Sequence, residues 1–517
     1  MFMTERRRIG VAGNDLDESF RWGHRFASKP YWRMTYTGAL QRVRQAPRRE
    51  IPGGLRLAPV LLVPLAISGP NALIGLYGCA VLAAGLRLLW RPGEPPILLF
   101  IFLYQWLQSS IGAFYGNAVG VSLADIVPFG GQHDVASGLM LTGTLVLALS
   151  MRAAVGKPTR DLHAVMKAFV GRRPFNFWLR IYVVTWVFSA LCAMIAPSSS
   201  GLRLPLLTLS EVKWAGFVLL TFAAFSGPLR SARTVWLMVF AVEFVLSIGG
   251  FFANFKQVFF YALFGLATCN LRFGARLLVP GAVLGMALLL LALVWTAIKG
   301  DYRTFVNAGT RQQVVIVDYG ARIQELGRLI GELDARKLQD ASDRFFTRLM
   351  YHHFFGVSVT NVPETIPYTG GEIWGEAIAR PFMPRLLFPE KREIHDSELT
   401  NQYTGLGVAT ADQGTSISLG YMAEAYIDFG PVLMFAAIAG LGAGLGWFYG
   451  WLLRQSGFMA VVGAALAPFA LMPAHLAESS ILKMISSLVL SMLVCFVVLW
   501  VLAPMLIGRL TAPRQSH

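Results

Sequence analysis

Apolar residues occur along this chain in long blocks, and the polar residues are gathered into the segments between them. A block of roughly 20 mostly apolar residues is long enough to cross a bilayer as an α-helix. The pattern therefore predicts an all-α polytopic membrane protein. Twelve blocks predict spans, at 54–68, 71–90, 96–115, 135–152, 179–196, 212–229, 232–249, 253–270, 276–298, 431–450, 457–475 and 483–505. The first two blocks leave an alternative open, which is a single span in that region.

The positions of the charged residues predict an orientation for these spans. When the Arg-rich N-terminal segment is placed in the cytoplasm and the spans alternate, every loop on the cytoplasmic side contains Arg or Lys, whereas 92–151 contains neither. This alternation follows the positive-inside rule and predicts that both ends are cytoplasmic. The predicted organisation is a basic tail at 1–53, spans one to nine within 54–298, one large outer loop at 299–430, spans ten to twelve within 431–505, and a tail at 506–517.

Composition supports the membrane class and argues against several others. Of the 517 residues, 55% are hydrophobic and only 14% are charged, against about a quarter in soluble proteins. The net charge is +16, but 299–430 holds 13 basic and 17 acidic residues, so the excess lies in the other segments. That distribution fits the positive-inside rule better than nucleic-acid binding. The four cysteines lie in or beside apolar blocks without metal-ligand spacing, which predicts no metal site.

Motifs of soluble nucleotide-dependent enzymes are missing from the sequence. The glycine-rich run GLGAGLG at 440–446 lies inside an apolar block, where it predicts close helix packing rather than phosphate binding. We therefore expect no cofactor and no use of ATP by this chain.

Four cations lie at the predicted outer boundary of the membrane, where the positive-inside rule disfavours them. They are Arg203, Lys256, Lys299 and Arg303. Each of them alone could be explained by a long side chain that reaches from a helix end to water. Together they predict an anionic ligand at this interface, and a lipid phosphate suits the donors of Arg and Lys.

A cluster of charged residues lies in the predicted outer loop, in the stretch PRLLFPEKREIHDSE at 384–398. Its prolines restrict the backbone around Arg385, so that this side chain has a defined direction. Arg380 and Lys391 add positive charge on either side, and His395 stands beside Asp396 as a candidate base. The alternative interpretation is a solvated surface loop.

A third group of candidates precedes span ten in GTSISLGYMAEAYIDFG, 414–430. If this segment is helical, Tyr421, Glu424 and Asp428 share one face. Glu424 is our candidate for a general base at the membrane boundary, and the alternative is ordinary electrostatics of acidic groups near a helix N-terminus. Glu243, His475 and Glu478 are further ionisable groups in or near spans, but they are too scattered to predict a proton relay.

These segments resemble the Wzy-type polymerases of bacterial O-antigen and exopolysaccharide repeat units. PRLLFPEK and GTSISLGYMAEAYIDFG carry the resemblance, and GFFANFK and WTAIKGDYR are similar to further patches of that group. The resemblance covers roughly 240–450. It implies a multi-pass glycosyltransferase of the bacterial inner membrane that joins undecaprenyl-diphosphate-linked oligosaccharides at the periplasmic face and releases the diphosphate lipid, without a metal.

The resemblance also implies roles for individual residues. Arg385 would face the diphosphate and Glu424 the acceptor hydroxyl, with Asp428 and His395 as further catalytic candidates. The substrate-binding candidates are Arg203, Lys256, Lys299, Arg303, Arg380, Lys391 and Tyr421. Expected partners are the lipid-linked glycan, membrane lipid, a chain-length regulator and a flippase, with no nucleic acid. The alternatives are a transporter or flippase of a lipid-linked sugar, an O-antigen ligase-like enzyme with another acceptor, and a non-catalytic membrane partner of a polysaccharide assembly or sorting system.

Overall fold

The computed structural model describes residues 51–127, 129–157, 162–170, 173–199, 201–227, 229–248, 255–269, 278–310, 315–383, 387–388, 390–391, 395–410 and 416–505. These residues form α-helices and connecting segments, with no β-strand among them. In chain order the helices are α1 Gly53–Ile67, α2 Ala72–Leu89, α3 Ile97–Val119, α4 Leu123–Ile126, α5 His133–Val155, α6 Leu162–Val170, α7 Phe175–Ile195, α8 Arg203–Ser210, α9 Lys213–Ser226, α10 Arg230–Ser247, α11 Phe255–Thr268, α12 Leu278–Val306, α13 Tyr319–Gly331, α14 Ala335–Leu349, α15 His352–Asn361, α16 Glu372–Ala379, α17 Asp396–Thr404, α18 Tyr421–Leu453, α19 Phe458–Leu471 and α20 Ile481–Val497.

A helix occupies each of the twelve predicted spans, which confirms the prediction of an all-helical membrane architecture. Within the described ranges, nine helical segments are long and apolar enough to cross a membrane. Of the remaining three, α1 and α11 are apolar but shorter, at 15 and 14 residues, and α10 begins with two arginines in its first turn. Two helices extend beyond the predicted spans, because α12 continues to Val306 and α18 already begins at Tyr421.

The largest helix–helix contact of the fold joins α18 to α5. Glycines make this close approach feasible: a Cβ atom on Gly446 would lie 2.3 Å from the carbonyl oxygen of Met151. Helix α18 has a kink at Gly430, which has φ 74° and is followed by Pro431. The part of α18 before this kink, 421–430, is buried almost completely, so the first turns of α18 lie inside the protein.

A second apolar cluster lies where α12 extends beyond its predicted end. Tyr302 and Val306 of α12 are buried there against Leu326 and Leu329 of α13. Helix α14 also packs on α12, and on its other side it packs against α3. These contacts place α14 as a bridge between α12 and α3, and the candidate site lies along this bridge.

Candidate functional site: a basic cleft beside the connection between two helices

The floor of the candidate site is the irregular segment between α19 and α20. A 3₁₀ turn at Met472–His475 is followed by non-helical residues up to Ser480. Irregular backbone that is buried in the protein needs hydrogen-bond partners, and α3 supplies them with two buried glutamines. Gln105 Nε2 donates to the carbonyl of Ala474 at 2.7 Å, and the Ala477 amide donates to Gln108 Oε1 at 2.8 Å.

Glu424 of α18 contacts the end of the same irregular segment. Its side chain is 1% exposed, and Oε2 accepts a 2.7 Å hydrogen bond from the Ile481 amide at the start of α20. A carboxylate suits this position, because the first amides of a helix lack intrahelical partners and carry partial positive charge. Tyr421, one turn earlier on α18, donates from its hydroxyl to Gln105 Oε1 at 2.8 Å. Both residues therefore stabilise the irregular connection between α19 and α20, Glu424 directly and Tyr421 through Gln105.

Five cations converge above this floor, and we call them with Glu478 the basic cleft. Its members are Lys256, Lys299, Arg303, Arg344, Arg348 and Glu478. Arg348 of α14 is the common neighbour, since Lys256, Lys299 and Arg303 all lie within electrostatic range of it. Arg303 and Arg344 also act on Lys299. Within the described ranges, neither Lys256, Lys299 nor Arg348 forms an ion pair.

The helices explain why these cations meet. Lys299 and Arg303 stand one turn apart on the extension of α12, while Arg344 and Arg348 stand one turn apart on α14, which packs against that extension. Tyr115 of α3 fixes α14 from the other side, because its hydroxyl donates to Asp343 Oδ1 at 3.0 Å and its ring stacks on Phe346. Repulsion among the cations is unfavourable unless an anion is bound.

Glu478 is the carboxylate that faces these cations. It lies in the irregular segment, and Gln108 Nε2 donates to its Oε2 at a long 3.4 Å. Burial raises the pKa of Glu478, while Arg348, Lys256 and the Gln108 hydrogen bond act in the opposite direction. A carboxylate that is partly desolvated and beside cations is a candidate for proton transfer.

Tyr351 connects the basic cleft to a second group of polar side chains. Its buried ring lies within electrostatic range of Glu478 and Arg348 on one side and of Glu424 and Asp396 on the other. Its hydroxyl donates to the carbonyl of Ser418. Burial raises the pKa of Tyr351, so the phenol remains protonated at neutral pH.

Asp396 is the centre of this second group, which we call the Asp396 group and which also contains Ser416, Ser480 and Lys483. The Asp396 carboxylate is 5% exposed and accepts from Lys483 Nζ at 2.5 Å, from Ser480 at 3.2 Å and from Ser416 at 3.5 Å. Lys483 also donates to Ser416 at 2.9 Å. The carboxylate of Asp396 therefore has a full set of partners, which suits a structural role.

Asp428 joins two segments rather than facing the cleft. Its carboxylate accepts from the amides of Ile373 and Trp374, at 3.1 and 2.7 Å, and from the hydroxyl of Thr369. These amides belong to the first turn of α16, so Asp428 supplies the N-terminal acceptor that the helix needs. Nothing in these contacts leaves the carboxylate open to a substrate.

The other predicted residues of the charged stretch around 380–395 make no described contact with the basic cleft. Arg385 lies outside the described residues. His395 is the N-cap residue of α17, next to the buried Asp396. Arg380 pairs with Glu376 at 2.7 Å, and Lys391 Nζ donates to the carbonyls of Arg380 and Met383, which ties this segment together.

Two further candidates also lie apart from the cleft. Arg203 begins α8 and is exposed, and no contact between described residues joins it to the basic cleft. Glu243 is buried in a pair with Lys213 at 2.7 Å and accepts from the Tyr182 hydroxyl at 2.5 Å. Of the four outer cations predicted to converge, the cleft thus contains Lys256, Lys299 and Arg303.

Sequence analysis missed three residues that shape the site. Arg344 and Arg348 show the i,i+4 spacing of one helix face. The sequence of this amphipathic helix does not show which other helix that face packs against. Gln108 stands three residues after Gln105 inside an apolar span, and two buried amides on one face of a span were the available signal.

Comparisons with known proteins add no assignment for this chain. No family model, no curated protein and no solved structure matches it.

Proposed function

We propose that this chain is a membrane glycosyltransferase that lengthens a glycan carried on undecaprenyl diphosphate, at the periplasmic face of a bacterial inner membrane. The observation that carries the proposal is the convergence of Lys256, Lys299, Arg303 and Arg344 around Arg348, with Glu478 among them. The resemblance to Wzy-type polymerases supports the same reaction. A diphosphate group is an anion whose oxygens suit the donors of these Arg and Lys side chains.

In this reaction an acceptor sugar hydroxyl attacks the anomeric carbon of the lipid-linked glycan. The new glycosidic C–O bond forms while the C–O bond to the diphosphate breaks, and the diphosphate lipid leaves with the bonding electrons. The cations of the cleft stabilise the charge that develops on the leaving group. No nucleotide is needed, because the diphosphate itself is the activated leaving group.

The proton of the acceptor hydroxyl needs a base. Glu424 is the base predicted from the sequence, and its carboxylate accepts from the first amide of α20. Glu478 is the better-placed carboxylate, because it lies beside Lys256 and Arg348, where the leaving group would be bound. We therefore assign the role of proton acceptor to Glu478, and to Glu424 the role of supporting the connection between α19 and α20.

The test uses purified protein in detergent with an undecaprenyl-diphosphate oligosaccharide, and measures glycan length and lipid affinity. Arg348→Gln should slow the initial rate by about 10²–10³-fold, as loss of a charge-stabilising donor does elsewhere, and should weaken lipid binding. Arg336→Gln is the matched control, since Arg336 is exposed near the start of the same helix α14. Equal rates for Arg348→Gln and Arg336→Gln would show that the basic cleft does not take part in the reaction.

A second pair of variants separates the two glutamates. Glu478→Gln should lose most of the rate and retain lipid binding, whereas Glu424→Gln should remain active because its amide oxygen can still accept from Ile481. The reverse result would return the base to Glu424. If wild-type protein binds the lipid and never lengthens the glycan, but moves it across a proteoliposome membrane, the chain is a flippase. Transfer of the glycan to a different acceptor would indicate a ligase.

A further inference from the structure

A second basic pocket lies away from the cleft, where α5 and α18 end and α19 begins. It is a shallow, open cavity of about 30 Å³ whose polar lining is Arg91, Glu94, Lys157 and Arg454. Its apolar walls come from α6, α18 and α19 and include Leu162, Leu453 and Ala460. These residues stand at the ends of apolar helices, so the pocket lies at the level where the membrane boundary is expected.

The positive charges of this pocket are built into the fold. Arg91 and Glu94 form a bidentate pair, at 2.5 and 3.1 Å, and their side chains are only 10% and 11% exposed. The Tyr449 hydroxyl donates to Glu94 Oε2 at 3.2 Å, which fixes the carboxylate from α18. Arg91 also donates to the carbonyl of Gly156 at 3.1 Å. Arg91 is therefore held rigidly.

Arg454 approaches the same helix end from α18. Its Nη1 donates to the carbonyl of Val155 at 3.2 Å, the last residue of α5. Gly450 leaves room for it, because a Cβ atom there would lie 3.0 Å from Arg454 Nη2. Lys157 is exposed and, among the described residues, has no ion-pair partner. Among the described residues that line the pocket, three cations thus face one carboxylate and one helix C-terminus, so that positive charge remains in excess.

We propose that this pocket binds the phosphate of an anionic phospholipid headgroup. Arg side chains offer paired donors to phosphate oxygens, and the apolar walls suit the acyl chains that continue from such a headgroup. Basic pockets between membrane helices are known to take anionic lipids in this way. The proposal does not depend on the glycosyltransferase activity, because the pocket shares no residue with the basic cleft.

The experiment measures binding of a fluorescent phosphatidylglycerol to the delipidated full-length protein in detergent, with a phosphatidylcholine probe for comparison. Wild-type protein should bind phosphatidylglycerol more tightly. Lys157→Gln and Arg454→Gln should each weaken that binding about fivefold, as expected for one basic residue near an anionic lipid. Lys157→Gln keeps the Arg454–Val155 hydrogen bond, so it tests the charge even if Arg454→Gln is unstable.

The control is the double variant Arg230→Gln/Arg233→Gln, which removes two exposed cations at the start of α10. By the alternation of the spans these arginines lie at the same membrane boundary. The double variant therefore measures how much general attraction between surface cations and the anionic lipid contributes to binding. The proposal predicts wild-type affinity for this variant. Weakening equal to that of Lys157→Gln, or equal affinity of wild type for phosphatidylcholine, would overturn it. Displacement of the probe by millimolar inorganic phosphate would also overturn it in favour of a free-anion site.

Discussion

Gly446 tests the packing of α18 against α5, on which the position of the candidate site depends. A Cβ atom on Gly446 would lie 2.3 Å from the Met151 carbonyl oxygen and 2.9 Å from its Cα atom. These distances are roughly 1 Å shorter than the roughly 3.5 Å of a favourable contact. The obstructing atoms are backbone, so a rotamer change cannot relieve the clash. Gly446→Ala should therefore destabilise the protein by about 1–3 kcal/mol, the range for overpacked cores.

Gly444 provides the matched control within the same GLGAGLG run. A Cβ atom there would meet nothing within 4 Å in the described structure, and alanine favours a helix over glycine by about 1 kcal/mol. Gly444→Ala should therefore be neutral or stabilising, and the two variants should differ by about 2–4 kcal/mol.

The assay for both variants is the apparent free energy of unfolding in mixed micelles with increasing denaturing detergent. Equal values for Gly446→Ala and Gly444→Ala would show that this face of α18 does not pack on α5 as described.

Three further predictions concern topology, pH and capping. Single cysteines at exposed Gln339 and Thr365 should react with an impermeant maleimide on intact cells and one at exposed Ser456 should not; the opposite pattern would invert the proposed orientation. Burial lowers the pKa of His352 to about 3 from 6.5, so the unfolded chain binds a proton that the folded chain excludes. Stability is then full above pH 6.5 and falls by about 2 kcal/mol at about pH 5. The melting temperature should fall as the pH is lowered from 6.5 to about 5, and His352→Leu should reduce that decrease. An unchanged decrease in His352→Leu would contradict this role of His352. Asp428→Ala should cost about 1–3 kcal/mol by leaving buried amides unpaired, while Asp428→Asn should keep activity; a dead but stable Asp428→Asn would indicate catalysis instead.

The sequence by itself determined where the helices are, because a membrane span is a local property. The apolar block at 179–196, for example, corresponds to α7 at Phe175–Ile195. A chain in lipid must satisfy its backbone hydrogen bonds within each segment, so a long enough apolar run specifies a helix without reference to its neighbours. The helical face shared by Glu424 and Asp428 was predictable for the same reason, since both lie in α18.

Only the tertiary structure decided what those side chains contact. Glu424 and Asp428 share a face of α18, yet one accepts from the start of α20 and the other from the start of α16. The basic cleft likewise depends on α14 packing against α12, which brings Arg348 to Lys299 from about 50 positions away in the chain. Electrostatic interaction depends on distance in space, and the sequence pattern specifies each helix face but not the helix against which that face packs.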